Sequence, residues 1–216
     1  KRCSIAKQFI GAAIDNELVS KNPFKNIPCA SKANRSRDFT VTNEMILEIL
    51  PFCPDDEWAL IIALARWGGL RAPSEIRELR WQDINWKTNR IRVFSPKNKQ
   101  HANAVREIPI FKKLRPYLKA AQNSPAPDAV YVITHGRDKS DSYYASAIKR
   151  FIRKSGHTPW KKPLQNMRIT RAIELSFFCK NLATAAGYMG HSIKTAEKYY
   201  WRARQMDYDW AAYVDE

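Results

Sequence analysis

Apolar residues recur every three or four positions over much of the chain, which is the spacing of helices. Residues 4–19, SIAKQFIGAAIDNELV, follow this spacing, and Pro23 blocks its continuation, so we predict a helix that ends near that proline. Residues 55–69, DDEWALIIALARWGG, are largely apolar and end at two glycines, which predicts a buried helix with a glycine stop. Thr42 is a typical N-cap residue and predicts the start of another helix.

Runs of β-branched and aromatic residues interrupt the helical pattern in the middle of the chain. RIRVFS at residues 90–95 and VREIPI at residues 105–110 predict two strands joined by a basic loop, and AVYVI at residues 129–133 predicts a third strand. Helical spacing returns at residues 140–156 and again from Gln165 onward. The predicted fold class is therefore mainly α with a small antiparallel β-sheet (α+β).

The charge balance points to a polyanionic partner. The 216 residues carry a formal net charge of +16, and 44% of them are apolar, so the chain can bury a core and still present a basic surface. This favours a nucleic acid. A membrane is disfavoured because the longest apolar run, Trp58–Ala65, stops at Arg66 and is too short to span a bilayer. The four scattered cysteines predict reduced thiols and no zinc site.

Four residue types that suit phosphate chemistry stand at unusual places. Arg71 follows two glycines, Arg168 precedes an apolar helical run, and Lys97 lies at the tip of the predicted hairpin. The segment GHSIKTAEKYYW adds His191 and two adjacent tyrosines. Any one of these cations alone is more often a surface charge, and the tyrosines could simply pack. Together they can clamp a phosphodiester, pass a proton and supply a hydroxyl nucleophile.

In four stretches taken in order, the chain resembles the tyrosine recombinases, or phage-type integrases. They are GGLRAPSEIRELRWQDINW, RIRVFSPKNKQHANAVREIPI, QNMRITRAIEL and YMGHSIKTAEKYY. The resemblance implies a catalytic domain over residues 42–202, in the fold of that family. Residues 1–24 resemble the last helix of a preceding DNA-binding domain, so we expect a piece of a longer protein, and residues 25–41 form a basic linker. The tail, residues 203–216, could contact a neighbouring protomer or fold back onto its own domain.

The resemblance also implies a role for each candidate. Arg71 and Arg168 would hold the scissile phosphate, Lys97 would protonate the departing 5′ oxygen, and His191 would donate a hydrogen bond to the phosphate. Tyr200 would attack phosphorus and form a 3′-phosphotyrosyl link. Glu75 would orient this cluster, and Gln165 would support phosphate positioning. The implied activity is a cytoplasmic, site-specific DNA recombinase that uses no metal, ATP or other cofactor, acts on double-stranded DNA and self-associates on it as a dimer or tetramer.

Three features depart from the usual pattern or leave a choice open. Gln165 replaces the histidine three residues before the second arginine, and Gln cannot shuttle a proton. Glu75 lies four residues after Arg71 instead of three, which suggests an inserted residue near Pro73. Counting nine residues on from His191, as in the family, selects Tyr200, and a helical row through Ile193, Ala196 and Tyr200 agrees. A single residue deleted after Ser192 would instead select Tyr199. A catalytically impaired DNA-binding protein and an unrelated basic RNA-binding module are the alternatives.

Overall fold

The structure is a computed structural model that describes residues 2–28, 38–96, 104–123 and 129–200, without the side chains at 198–200. The chain divides into two compact units, residues 1–36 and residues 37–216. The first contains helix α1 (Arg2–Asp15), none of whose residues is buried. The second contains every other helix and strand of the described residues.

Helix α1 ends earlier than predicted. Its last residue is Asp15 rather than one close to Pro23. Glu17 adopts a left-handed backbone with φ of 58°, and the amide of Leu18 donates to the carbonyl of Ala13 at 2.8 Å. This is the pattern that closes many helices by satisfying their last carbonyl groups. Residues 21–25 then run back beside the helix, where Asn22 Nδ2 donates to the Lys7 carbonyl at 3.2 Å.

The second unit consists of eight helices and three strands among its described residues. The helices are α2 (Asn43–Ile49), α3 (Asp56–Arg66), α4 (Ser74–Glu78), α5 (Arg115–Gln122), α6 (Asp141–Lys154), α7 (Pro163–Phe178), α8 (Leu182–Met189) and α9 (Ile193–Tyr200). Two 3₁₀ turns, Leu50–Phe52 and Trp81–Asp83, lie between them. The strands are β1 (Ile84–Asn85), β2 (Arg90–Phe94) and β3 (Val105–Pro109). The predicted class, mainly α with a small antiparallel sheet, is confirmed.

Helix α3 runs through the centre of the core, as its apolar sequence predicts. Its residues from Leu60 to Ala65 are fully buried, and it packs mainly against α7 and α5. The side chain of Asp55 caps its first turn by accepting from the amide of Trp58 at 2.9 Å. Thr42 likewise caps α2, as predicted, by accepting from the amide of Met45. Both caps satisfy amide groups that have no partner within their own helices.

The sheet has the order β1-β2-β3 and is antiparallel throughout. Ile91 and Val93 of β2 face the core, opposite Ile108 and Arg106 of β3. The prediction of a strand at residues 129–133 is wrong. This segment forms only an isolated bridge between Tyr131 and Arg80, because the chain opposite it turns at once into the 3₁₀ helix at 81–83. Instead, the third strand is the two-residue β1.

Helix α7 is fixed from two sides and thereby positions the residues it carries. Thr170 Oγ1 accepts from the amide of Val41 at 3.0 Å, and Asn166 Oδ1 accepts from the amide of Phe39 at 3.3 Å. On its other side α7 packs against α8 and α9. Among the described residues, no helix is both long enough and apolar enough to cross a membrane.

Candidate active site

Arg71 lies in the short loop between α3 and α4, which requires a glycine before it. Gly69 has φ of +68°, and a Cβ there would lie 2.8 Å from Met189 Sδ. Glycine therefore fits where a side chain would be strained. Arg71 Nη2 donates to the Gly190 carbonyl at 2.6 Å, and Arg71 Nη1 donates to Ser95 Oγ at 3.1 Å. The loop thus aims the guanidinium between the hairpin and the end of α8.

Glu75 lies one turn later, at the start of α4, and is fully buried. Its carboxylate accepts from the Arg71 amide at 2.7 Å and from Arg71 Nη1 at 2.5 Å. Burial by itself would raise the pKa of Glu75, but the guanidinium groups of Arg106 and Arg168 outweigh it and lower the pKa to about 2. The four-residue separation from Arg71 therefore still brings the acid onto the arginine, and a buried carboxylate stays ionised there.

Arg106 is a member of this cluster that sequence reasoning missed. Arg106 Nη1 and Nη2 donate to the two oxygens of Glu75 at 2.8 and 2.7 Å. The residue lies on β3, where Ile108 is buried on the same side, as is Ile110 directly after the strand, and Val105 and Glu107 are exposed. The sequence held a signal for it: an arginine in register with two isoleucines on the apolar side of a strand requires a buried anion.

Arg168 lies in the middle of α7 and is 6% exposed. Its guanidinium donates to the carbonyl groups of Gly69 and Met189 and lies 3.8 Å from Glu75 Oε2. The two arginines predicted to bind phosphate, Arg71 and Arg168, therefore meet on one carboxylate. Three guanidinium groups around a single carboxylate leave two formal positive charges in excess.

His191 completes the described cluster. Gly190 ends α8 with φ of +63°, and the next residue, His191, places its Nε2 atom 3.0 Å from Arg168 Nη2. Because a guanidinium can only donate, Nε2 accepts here, so the imidazole is neutral with its proton on Nδ1. Burial, followed by the charges of Arg168 and Arg71, lowers the pKa of His191 to about 3. The histidine is therefore uncharged at neutral pH.

The remaining predicted residues are exposed or lie outside the described residues. Gln165 is exposed on α7, three residues before Arg168. Lys97 lies outside the described residues, and so do the side chains of Tyr199 and Tyr200, whose backbone closes α9. Along the helical row of Ile193, Ala196 and Tyr200 on α9, Ala196 is buried but Ile193 is 49% exposed, so the row does not by itself orient Tyr200. The choice between the two tyrosines therefore rests on the count from His191.

The described arrangement suits a single phosphate group. Guanidinium groups bind phosphate oxygens in a fork, and an excess of two positive charges in a partly buried site attracts an anion strongly. Over the same described residues, no three His, Cys, Asp or Glu side chains are grouped so that they could hold a metal ion.

A model of the phage integrase family matches residues 40–206, which is most of the chain. The chain belongs to the phage integrase family. The four stretches noted above and the arginine cluster lie within the matched residues. No curated protein sequence matches the chain.

Solved structures of integrases and recombinases share the fold. XerA recombinase is 16% identical with a TM-score of 0.66, over 82% of this chain and 64% of XerA, so this chain spans less than two thirds of that protein. The Tn1549 transposon integrase in complex with circular intermediate DNA is 17% identical with a TM-score of 0.68, over 95% of this chain and 75% of that one. A lambda integrase dimer bound to a COC′ core site is 17% identical with a TM-score of 0.68, over 94% of this chain and 74% of the lambda integrase chain. The phage integrase family member described here thus has the catalytic-domain fold of the tyrosine recombinases.

Proposed function

We propose that this protein is a site-specific DNA recombinase that breaks and rejoins DNA strands through a 3′-phosphotyrosyl intermediate. The observation that carries the proposal is the cluster of Arg71, Arg106 and Arg168 around Glu75, with the neutral His191 beside it. In a member of the phage integrase family, such a cluster is suited to the phosphate at which a strand is cut.

The proposed reaction exchanges one phosphoester for another. The Tyr200 hydroxyl loses its proton to water as its oxygen attacks phosphorus, the bond between phosphorus and the 5′ oxygen breaks, and Lys97 gives that oxygen a proton. Negative charge builds up on the phosphate oxygens in the transition state, where Arg71 and Arg168 stabilise it. Because the phosphotyrosyl link retains the ester bond, a second 5′ hydroxyl can reverse the step without ATP.

His191 fits the role of a hydrogen-bond donor to the phosphate. It is neutral in the free protein because of burial and three nearby arginines, which lower its pKa to about 3. A bound phosphate brings an opposing negative charge, which raises the pKa again and favours the imidazole as a donor. The ring is held close to Arg168, so little movement is needed.

A nicked duplex tests the proposal directly. When cleavage beside the nick releases a short strand, religation fails and the protein stays covalently attached to DNA. We expect wild type and Tyr199→Phe to give this adduct on a denaturing gel and Tyr200→Phe to give none. The reverse pattern would identify Tyr199 as the nucleophile, and no adduct from wild type would refute strand transfer.

Gln165 supports a second candidate, a DNA-binding protein on the same scaffold with impaired catalysis. The amide cannot exchange protons at neutral pH, so any proton transfer at this position is lost. This candidate predicts tight binding of the nicked duplex with no adduct. A protein that binds and also forms the adduct would exclude it.

Duplex DNA and further copies of the chain are the proposed partners, in the cytoplasm. Lambda integrase has been solved as a dimer on a core site and as a tetramer bound to a Holliday junction. Residues 1–24 and the linker 25–41 would add DNA contacts to the catalytic domain at 42–202. Deleting residues 204–216, which lie outside the described residues, should weaken assembly on paired sites and spare cleavage of one site. Unchanged assembly would remove the tail from the interface.

A further inference from the structure

Arg106 makes more polar contacts within the site than its position on a strand requires. Its Nη1 and Nη2 atoms form a fork on Glu75, and its Nε donates to the Tyr188 carbonyl at 2.8 Å. The side chain is only 9% exposed. All three nitrogens are therefore committed to the protein.

These contacts join three separate parts of the chain. Arg106 belongs to β3 and hence to the β2–β3 hairpin, while Glu75 belongs to α4 and Tyr188 to the end of α8. The turn after α8 also packs on Arg106, since a Cβ at Gly190 would lie 3.1 Å from Arg106 Cδ. One side chain thus links the hairpin, the orienting acid and the turn that carries His191.

We propose that Arg106 is a positioning residue for strand transfer, which holds Glu75 against Arg71 and the Gly190–His191 turn against the hairpin before DNA binds. This inference rests on the proposed function, because it assigns Arg106 to the same phosphate site. Arg106 does not contact the phosphate in this scheme. It acts through the residues that do.

The charges explain why the position calls for an arginine. Arg106 is the strongest influence that opposes burial at Glu75, so its loss would raise the pKa of that carboxyl. It is also among the cations that lower the pKa of His191. A lysine could supply the charge but not the fork on both carboxylate oxygens together with the bond to Tyr188.

The exposed end of the same hairpin provides a matched control. Arg90 on β2 pairs with Glu107 on β3 at 2.9 Å, and their side chains are 63% and 56% exposed. Arg90→Gln therefore removes an arginine–glutamate pair from the same two strands without touching the site. Exposed pairs of this kind contribute little to stability.

The experiment compares wild type with Arg106→Gln, Arg106→Lys and Arg90→Gln. Adduct formation is timed on saturating nicked duplex, the Kd for an intact duplex is measured, and the His191 imidazole is titrated by NMR. Misplacement of reacting groups by about 1 Å costs about 10²-fold in rate, which is the slowing expected for Arg106→Gln. Arg106→Lys keeps the charge, and its rate of adduct formation should be about tenfold below that of wild type. Both should bind DNA within about threefold of wild type, because phosphate contacts elsewhere dominate affinity.

The outcomes separate this proposal from the proposed function. Full activity in Arg106→Gln or in Arg106→Lys, equal to that of Arg90→Gln, would overturn the positioning role. If Arg106→Gln does not fold, the folded lysine variant decides. The titration requires no activity: loss of Arg106 should raise the pKa of His191, and an unchanged pKa would overturn the link to the turn. A wild type without adduct but with a raised His191 pKa in Arg106→Gln would refute strand transfer alone.

Discussion

Two arginine–glutamate clusters share helix α7, on which Arg168 and Glu174 lie nearly two turns apart. The first contains Arg168, which with Arg71 and Arg106 surrounds Glu75. The second contains Glu174, which accepts from Arg66 Nη1 and Nη2 at 3.0 and 2.5 Å and from Arg171 Nη1 at 3.2 Å. The same two residue types form both clusters, yet their surroundings differ.

The difference lies in excess charge and exposure. The first cluster has three arginines for one glutamate, and the Arg71 side chain is 20% exposed. The second has two arginines, of which Arg66 is 1% exposed and also donates to the Val41 carbonyl, while Arg171 lies over the Phe111 ring at 4.1 Å. Excess charge at an accessible guanidinium is suited to an incoming anion. The second cluster has only one positive charge in excess and little exposure, and it fixes α3 and the start of the domain to α7.

The largest effect should follow from changing the accessible arginine of the first cluster. Arg71→Gln should slow adduct formation on saturating nicked duplex by about 10²–10³-fold, because it removes a donor that stabilises transition-state charge. Arg171→Gln, in the second cluster, should stay within about threefold of wild type, because the Arg66–Glu174 pair remains. Single-turnover adduct kinetics measure both rates. Equal slowing of the two variants would abolish the functional distinction between the clusters.

Breaking the second cluster should lower the free energy of unfolding. Glu174→Gln leaves two arginines close together without an anion, and breaking a buried pair in this way costs about 3 kcal/mol of unfolding free energy. Glu107→Gln, in the exposed pair with Arg90, should cost less than about 1 kcal/mol. Urea unfolding followed by circular dichroism gives both values. If Glu174→Gln is as stable as Glu107→Gln, the second cluster does not support the fold.

Lowering the pH should distinguish the two clusters, because His191 lies beside the first cluster and not beside the second. In the unfolded chain a histidine takes up a proton near pH 6.5, whereas the folded His191 stays neutral down to its lowered pKa of about 3. Between these values the unfolded state holds the extra proton, so unfolding free energy falls as pH falls. Between pH 7 and pH 4.5, wild type should lose about 1–2 kcal/mol more than His191→Gln, with allowance for partial exposure. Parallel losses in the two proteins would contradict the lowered pKa.

The sequence predicts the helices and strands better than it predicts which side chains meet in the site. The helical periodicity of residues 55–66 and the cap at Thr42 depend on local chemistry, and both are confirmed. Arg71, Glu75, Arg168 and His191 could be chosen because spaced motifs carried them. Arg106 also lies in one of these stretches, but its role depends on a strand pairing that brings it to a carboxylate 31 residues away. The prediction of a strand at residues 129–133 failed for the same reason, because β-propensity does not reveal whether a partner strand exists.

The smallest effect concerns Gln165, which is exposed one turn before Arg168 and distinguishes the enzyme from its impaired alternative. Neutral hydrogen bonds contribute about 0.5–1.5 kcal/mol, so Gln165→Ala should slow adduct formation by no more than about tenfold. Gln165→His should also stay within about tenfold of wild type, because Lys97 is the proposed acid and Gln165 serves only to position phosphate. General acid–base catalysis is worth about 10²–10⁴-fold, so an enzyme impaired at this position would regain activity on that scale with histidine. A gain of that size in Gln165→His, with an unchanged Kd for DNA, would show that proton transfer at residue 165 is what the natural protein lacks.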